Sequence, residues 1–116
     1  RESGIFVFAG ARPRVADNPC RGNYHFGIAV RDPETHPELV RNRCCENWLS
    51  GMLLFHHAEA MLVGNTCADN LHWGIVMTPD THPSPSRETL EQSNVLTQNP
   101  RGAMIVTDAP LSEIGR

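Results

Sequence analysis

The feature that most constrains the fold of this chain is that it says the same thing twice. Asn18-Pro19-Cys20-Arg21-Gly22-Asn23-Tyr24-His25-Phe26-Gly27-Ile28 returns 47 residues later as Asn65-Thr66-Cys67-Ala68-Asp69-Asn70-Leu71-His72-Trp73-Gly74-Ile75. Asn, Cys, Asn, His, an aromatic, Gly and Ile keep their register. Both copies run on to a common turn, Pro33-Glu34-Thr35-His36-Pro37 and Pro79-Asp80-Thr81-His82-Pro83. The preceding segments match at the same offset, Gly4–Ala11 with Gly51–Ala58, and Gly102–Ala109 is a looser third copy. An internal duplication of this kind speaks to architecture and to where a site lies, and does not by itself name a substrate.

With 116 residues, 40% of them hydrophobic and 20% charged, the chain has the composition of one small globular domain, with internal repeats over about 4–50 and 51–109. It holds no apolar run of membrane-spanning length. A net charge of -3 and the lack of a basic cluster argue against a nucleic-acid surface. All ten cationic residues are Arg, which excludes a Schiff-base or phosphate-loop lysine in this chain. Four cysteines permit two disulfides, but no C-x-x-C is present. The reading favoured is reduced, mostly buried thiols in a cytoplasmic protein, with a secreted disulfide protein as the alternative.

Gly4–Ala11 and His25–Val30 read as strands. In the second, strict alternation puts Phe26, Ile28 and Val30 on one face and His25, Gly27 and Ala29 on the other. Trp73, Ile75 and Met77 repeat the bulky face, against His72, Gly74 and Val76. The spacing of Leu39, Cys45 and Leu49 predicts a helix over Glu38–Ser50, opened by Pro37. A second helix is predicted from Pro85 through Gln92, capped by Ser86. Thr35 and Thr81 are candidate caps, and residues 110–116 read as a tail. The expected fold is therefore α+β: two βαβ units, 25–58 and 72–109, related by pseudo-two-fold symmetry, with one mixed sheet packed on two helices.

On that scaffold His25 and His72 are the leading candidates for chemistry. Repeated imidazoles on an uncrowded sheet face can share one divalent ion, with Glu59 and Glu113 as oxygen ligands. The strands His25-Phe26-Gly27-Ile28-Ala29-Val30 and His72-Trp73-Gly74-Ile75-Val76-Met77 resemble the first strands of vicinal-oxygen-chelate modules, the glyoxalase and extradiol dioxygenase superfamily. That resemblance implies paired βαβββ modules and a divalent metal (Zn, Fe, Mn or Ni) held by a His from each module and by later carboxylates. It implies a small metal-dependent enzyme of lyase, isomerase or dioxygenase type acting on a small oxygen-bearing substrate.

Two other readings stand beside it. Cys20 and Cys67 each precede a His by five residues, so they offer a Cys2His2 zinc set or a Cys–His thiol enzyme, with Asn23 and Asn70 orienting the imidazoles. Alternatively the duplicated His and Asn residues are structural, with turn-forming Asn side chains, and the chain is a non-enzymatic small-ligand or protein-binding module. His56-His57-Ala58-Glu59 contains the H-x-E of zinc deaminases but lacks their downstream P-C-x-x-C. A homodimer or higher homo-oligomer is expected for so small a domain.

Overall fold

A computed structural model describes residues 3–84, 86 and 89–108. They form a parallel β-solenoid of about four turns, with almost no helix. The strands are β1 (Ser3–Val7), β2 (Arg14–Ala16), β3 (Pro19–Arg21), β4 (Phe26–Arg31), β5 (Glu38–Val40), β6 (Arg43–Cys45), β7 (Ser50–Phe55), β8 (Glu59–Val63), β9 (Thr66–Ala68), β10 (Trp73–Met77) and β11 (His82–Ser84). A one-turn helix α1 (Leu90–Ser93) and a last strand β12 (Gly102–Val106) follow. Three parallel sheets run along the axis, ordered β1-β4-β7-β10-β12, β11-β8-β5-β2 and β3-β6-β9. No helix among the described residues is long and apolar enough to cross a membrane.

The true repeat is half the one visible in the sequence. Ser3 pairs with Phe26, Phe26 with Ser50, and Met52 with Ile75, which makes successive rungs 23, 24 and 23 residues long. The 47-residue offset is two rungs. The copy between them is Asn42-Arg43-Cys44-Cys45-Glu46-Asn47, which sits inside the segment expected to be a helix. That helix does not form, and the α+β sandwich fails with it. Arg41 and Glu46 have φ of 54° and 59°, in the left-handed region that no right-handed helix contains. Leu39, Cys45 and Leu49 share no face: Leu39 points into the interior, Cys45 lines an outer cleft and Leu49 joins a cluster on the opposite face of the five-stranded sheet. Of the second expected helix, only Leu90–Ser93 is helical among the described residues.

Each rung turns at residues with positive φ. Asp17, Arg41 and Gly64 stand at one corner, and Gly22, Glu46, Asp69 and Gln98 at the next. An Asn follows every one: Asn18, Asn42 and Asn65 at the first corner, Asn23, Asn47, Asn70 and Asn99 at the second. Asn94 completes the first column. These side chains are not free turn formers. In each column the backbone N–H and the Nδ2 of one Asn both donate to the Oδ1 of the Asn one rung on, at 2.9 to 3.1 Å. From Asn42 and Asn47 onward, the other Nδ2 hydrogen goes to a carbonyl of the preceding rung, such as Val15 O for Asn42 and Cys20 O for Asn47. Asn47 thus uses both amide hydrogens and both lone pairs of its oxygen while fully buried.

The interior between the sheets is apolar. Ile28, Val30, Met52, Leu54, Ile75 and Met77 enter it from the five-stranded sheet, Leu39 and Leu62 from the second, and Cys20, Cys44, Cys67 and Leu96 from the third side. A second cluster on the opposite face of the five-stranded sheet holds Phe26, Ala29, Leu53, Phe55 and Val76. Strict alternation in β4 therefore slips once. Phe26 lies with Ala29 rather than with Ile28 and Val30, and Trp73 likewise parts from Ile75 and Met77. The slip occurs at Gly27 and Gly74. An added Cβ at Gly27 would lie 2.8 Å from the Cβ of Cys44, and at Gly51 2.8 Å from that of Cys67. Glycine there lets the first sheet close onto the cysteine column.

Two consequences can be measured by urea unfolding. Asn47→Ala leaves Asn23 and Asn70 with buried unmet groups, and at about 1–3 kcal/mol for each such group it should destabilise by about 3 kcal/mol or more. Gly51→Ala should cost about 1–3 kcal/mol, because backbone rather than a flexible side chain must move. Either variant unfolding at the parent urea midpoint would contradict these roles.

Candidate functional site

His25 and His72 do not meet. The backbone N–H of Leu49 donates to His25 O, and that of His72 to Leu49 O, so the two histidines occupy one column with a whole rung between them. At the usual strand spacing that is about 10 Å, against about 2 Å from each nitrogen to a shared ion. Glu59 begins β8, beyond the far end of β7, and its carboxylate pairs instead with His36 Nδ1 at 3.0 Å. Glu113 lies outside the described residues. Among the described residues, no group of three or more His, Cys, Asp or Glu is placed to hold a metal ion. The expected metal site is corrected accordingly: duplication through two rungs puts equivalent ligands in a row, not around a point.

Asn23 and Asn70 are members of the second Asn column and are buried in it. Cys20, Cys44 and Cys67 stack in the interior, and all four cysteines are free thiols. The Cys20 thiol is hydrogen-bonded with Cys44, and that bond together with burial pushes its pKa well up. Burial among thiols likewise raises Cys44, through its bond with Cys67, although its bond with Cys20 works the other way. A thiol held protonated is a poor nucleophile at neutral pH. Cys45 differs. It points outward, half-buried, into a shallow cleft of about 220 Å³ lined by Pro19, Arg21, Arg43, Glu46 and Asp69.

The H-x-E segment forms a tight turn. His56 and His57 both have positive φ, and Ala58 N–H donates to Phe55 O at 3.3 Å. The pattern of φ matches a type I′ turn, unusual without Gly or Asn. His57 Nε2 lies 3.4 Å from Asp80, and the Thr78 hydroxyl also donates to Asp80. Thr35 and Thr81 are buried at the equivalent turns and cap no helix; Thr81 Oγ1 donates to Thr78 O at 2.7 Å. His36, Glu59 and His82 then line up at the start of the second sheet, in consecutive rungs. At this edge the His36 imidazole and the Glu59 carboxylate form an ion pair.

A feature that the sequence reading missed lies beside the second Asn column. Tyr24, Trp48 and Leu71 each follow an Asn of that column and occupy the same place in consecutive rungs. Their exposures are 56%, 57% and 56%. The rings of Tyr24 and Trp48 meet edge to face with centroids 5.1 Å apart. Single exposed apolar residues are ordinary, but three in one column make a continuous stripe. His25 and His72, half-buried, border it as the next residues along the chain. A search at an offset of 24 would have aligned Trp48 with Tyr24. At 47, only Leu71 appeared opposite it.

No family model, curated protein or solved structure matches this chain.

Two outcomes are expected. Native protein treated with iodoacetamide at neutral pH should take up label at Cys45 first, and at Cys20, Cys44 and Cys67 only on unfolding; prompt labelling of Cys20 would contradict its placement. For Asp80, the Thr78 hydroxyl, helped by the His57 charge, holds the carboxyl below its ordinary value. A depressed folded pKa contributes stability that is present above about pH 3.9, the unfolded value, and lost as pH falls through the folded one. Thr78→Val should move the Asp80 carboxyl titration upward in NMR and shift acid unfolding to higher pH.

Proposed function

We propose that this chain is a non-enzymatic protein-binding module, a solenoid scaffold that presents the Tyr24–Trp48–Leu71 stripe to a second polypeptide. The observation that carries this reading is the division of labour among recurring residues. The recurrent Asn side chains are engaged between rungs, and the recurrent Cys side chains fill the interior. Among the described residues, Tyr24, Trp48 and Leu71 form a recurring position that stays outside and apolar in three consecutive rungs. Tyr and Trp are the residues that anchor protein interfaces, because each covers a large area while losing little rotamer freedom. A straight column on a rigid solenoid is also preorganised, which lowers the ordering cost of binding. The partner this surface fits most simply is another copy of the same chain, stripe against stripe about a two-fold axis.

Sedimentation velocity over a range of concentrations tests the proposal. The parent chain should self-associate into a closed dimer. Trp48→Ala, which removes an outward ring and leaves the interior intact, should weaken the association at least tenfold with little change in urea midpoint. A parent chain that stays monomeric to high concentration, or a variant that dimerises equally well, would overturn the reading.

A further inference from the structure

The outer face of the five-stranded sheet is apolar from edge to edge. Phe6, Ala29, Leu53, Val76 and Ile105 stand in register across β1, β4, β7, β10 and β12. Their chain neighbours Val30, Leu54 and Met77 enter the interior, so this row points away from it.

The middle of the row is nevertheless shut off from solvent. Ala29, Leu53 and Val76 are 4%, 2% and 1% exposed. Val63 is a control within the same molecule. It lies on the outer face of the second sheet, beside the inward Leu62, and is 41% exposed. An outward valine on a bare sheet keeps much of its surface, so Val76 has something lying on it. Trp73, half-buried against the same cluster, has its Nε1 cut off from solvent with no acceptor among the described residues. Phe26, Phe55 and Trp73 wall the row at its sides. Among the described residues no strand or helix lies over it. The elements that pack on this sheet, β3, β6, β8 and β9, belong to the other two sheets and approach across the interior.

Three stretches of chain lie outside the described residues. Residues 85, 87 and 88 join β11, an edge strand of the second sheet, to α1, which packs on β8 of that sheet, on the far side of the interior. Residues 1 and 2 reach about 7 Å from β1, whereas Val76 is three strands away, about 14 Å. Phe6, at the β1 end of the row, is moreover 47% exposed, while Ile105 at the β12 end is half-buried. The cover therefore comes from the β12 side. Residues 109–116 continue from there, and eight residues span up to about 26 Å, enough to cross β10 and β7 and reach β4. They carry two large aliphatic side chains, Leu111 and Ile114.

We infer that residues 109–116 lie across the outer face of the five-stranded sheet as a strap, with Leu111 and Ile114 seated on the Ala29–Leu53–Val76 row. The strap closes a second apolar core outside the first. It removes from solvent a face that would otherwise be a continuous sticky surface, and it leaves the Tyr24–Trp48–Leu71 stripe as the apolar surface on offer.

Methyl NMR on the full chain tests this. The Leu111 and Ile114 methyls should give cross-peaks to those of Leu53 and Val76, and in a sample mixing two labelling patterns these should arise within one molecule. A neutral gadolinium chelate should relax the Val76 methyls as weakly as those of Val30 and far less than those of Val63. Leu111→Asp with Ile114→Asp should abolish the cross-peaks, raise relaxation at Val76 to the level of Val63 and lower the urea midpoint. Leu111→Ala with Ile114→Ala gives the same readout should the Asp pair not fold. Missing cross-peaks in the parent chain, cross-peaks that arise between molecules, parent Val76 methyls relaxed like those of Val63, or methyls still shielded in both double variants would overturn the inference.

Discussion

A buried carboxamide that must satisfy two donors and two lone pairs leaves the neighbouring chain little freedom. The two Asn columns impose that condition at two corners of each rung. From Asn42 and Asn47 onward each Oδ1 accepts from both the backbone and the side chain of the preceding Asn, so the side chains bond only when the corner backbones stack in register. A rung that slipped by one residue would bury four unmet polar groups at each corner. Residues such as Arg41, Glu46 and Asp69 are held at positive φ at these corners, a conformation that costs an L-residue about 1 kcal/mol or more. Ion pairs across the rungs, Arg41 with Asp17 and Arg21 with Glu46, sit outside the same corners. Being exposed, they add little. The amide columns set the register.

The interior follows from that register. With Asn fixed five residues apart, the residue two places after the first Asn points inward in every rung, as Cys20, Cys44, Cys67 and Leu96 do. The strand facing that column must come close, and Gly4, Gly27, Gly51 and Gly74 stand where a Cβ would collide with it or with the adjoining backbone. Cysteine here is a small apolar filler whose thiol bonds to another thiol. The outer residues inherit the same periodicity without its constraint. That is why the same rule that stacks Asn also stacks Tyr24, Trp48 and Leu71 into a stripe, and His36, Glu59 and His82 into a row along one edge.

Much of this pattern is legible in the residues themselves. The Asn-x-Cys-x-x-Asn spacing, the strand that follows it and the turn after that strand are all visible in the sequence. Their recurrence at 47 residues suggests two large units because the intervening copy, Asn42–Asn47, shares only Asn, Cys and Asn with its neighbours. Arg43, Cys45 and Glu46 around those residues gave it an amphipathic look. A short strand with one inward residue, a corner and another short strand produce apolar spacings of about five, close enough to helical spacing to deceive. Positive φ at Arg41 and Glu46 has no signature in residue type. The candidate site failed for the same reason. His25 and His72 were placed correctly as equivalent positions, but equivalence in a solenoid means separation along an axis, whereas in a two-fold pair it means convergence.

Sequence alone determined which residues recur and the shared face of Ile28 with Val30 and of Ile75 with Met77, because these depend on short-range spacing and strand geometry. Only the tertiary structure decided what the units do to each other. Stacking in parallel at strand spacing converts a repeated Asn into a continuous amide column, a repeated Cys into a core, and a repeated His into separated side chains. The physical reason is that an Asn side chain can satisfy a turn or a neighbouring rung with the same atoms, and the choice is made by the chain that lies one rung away.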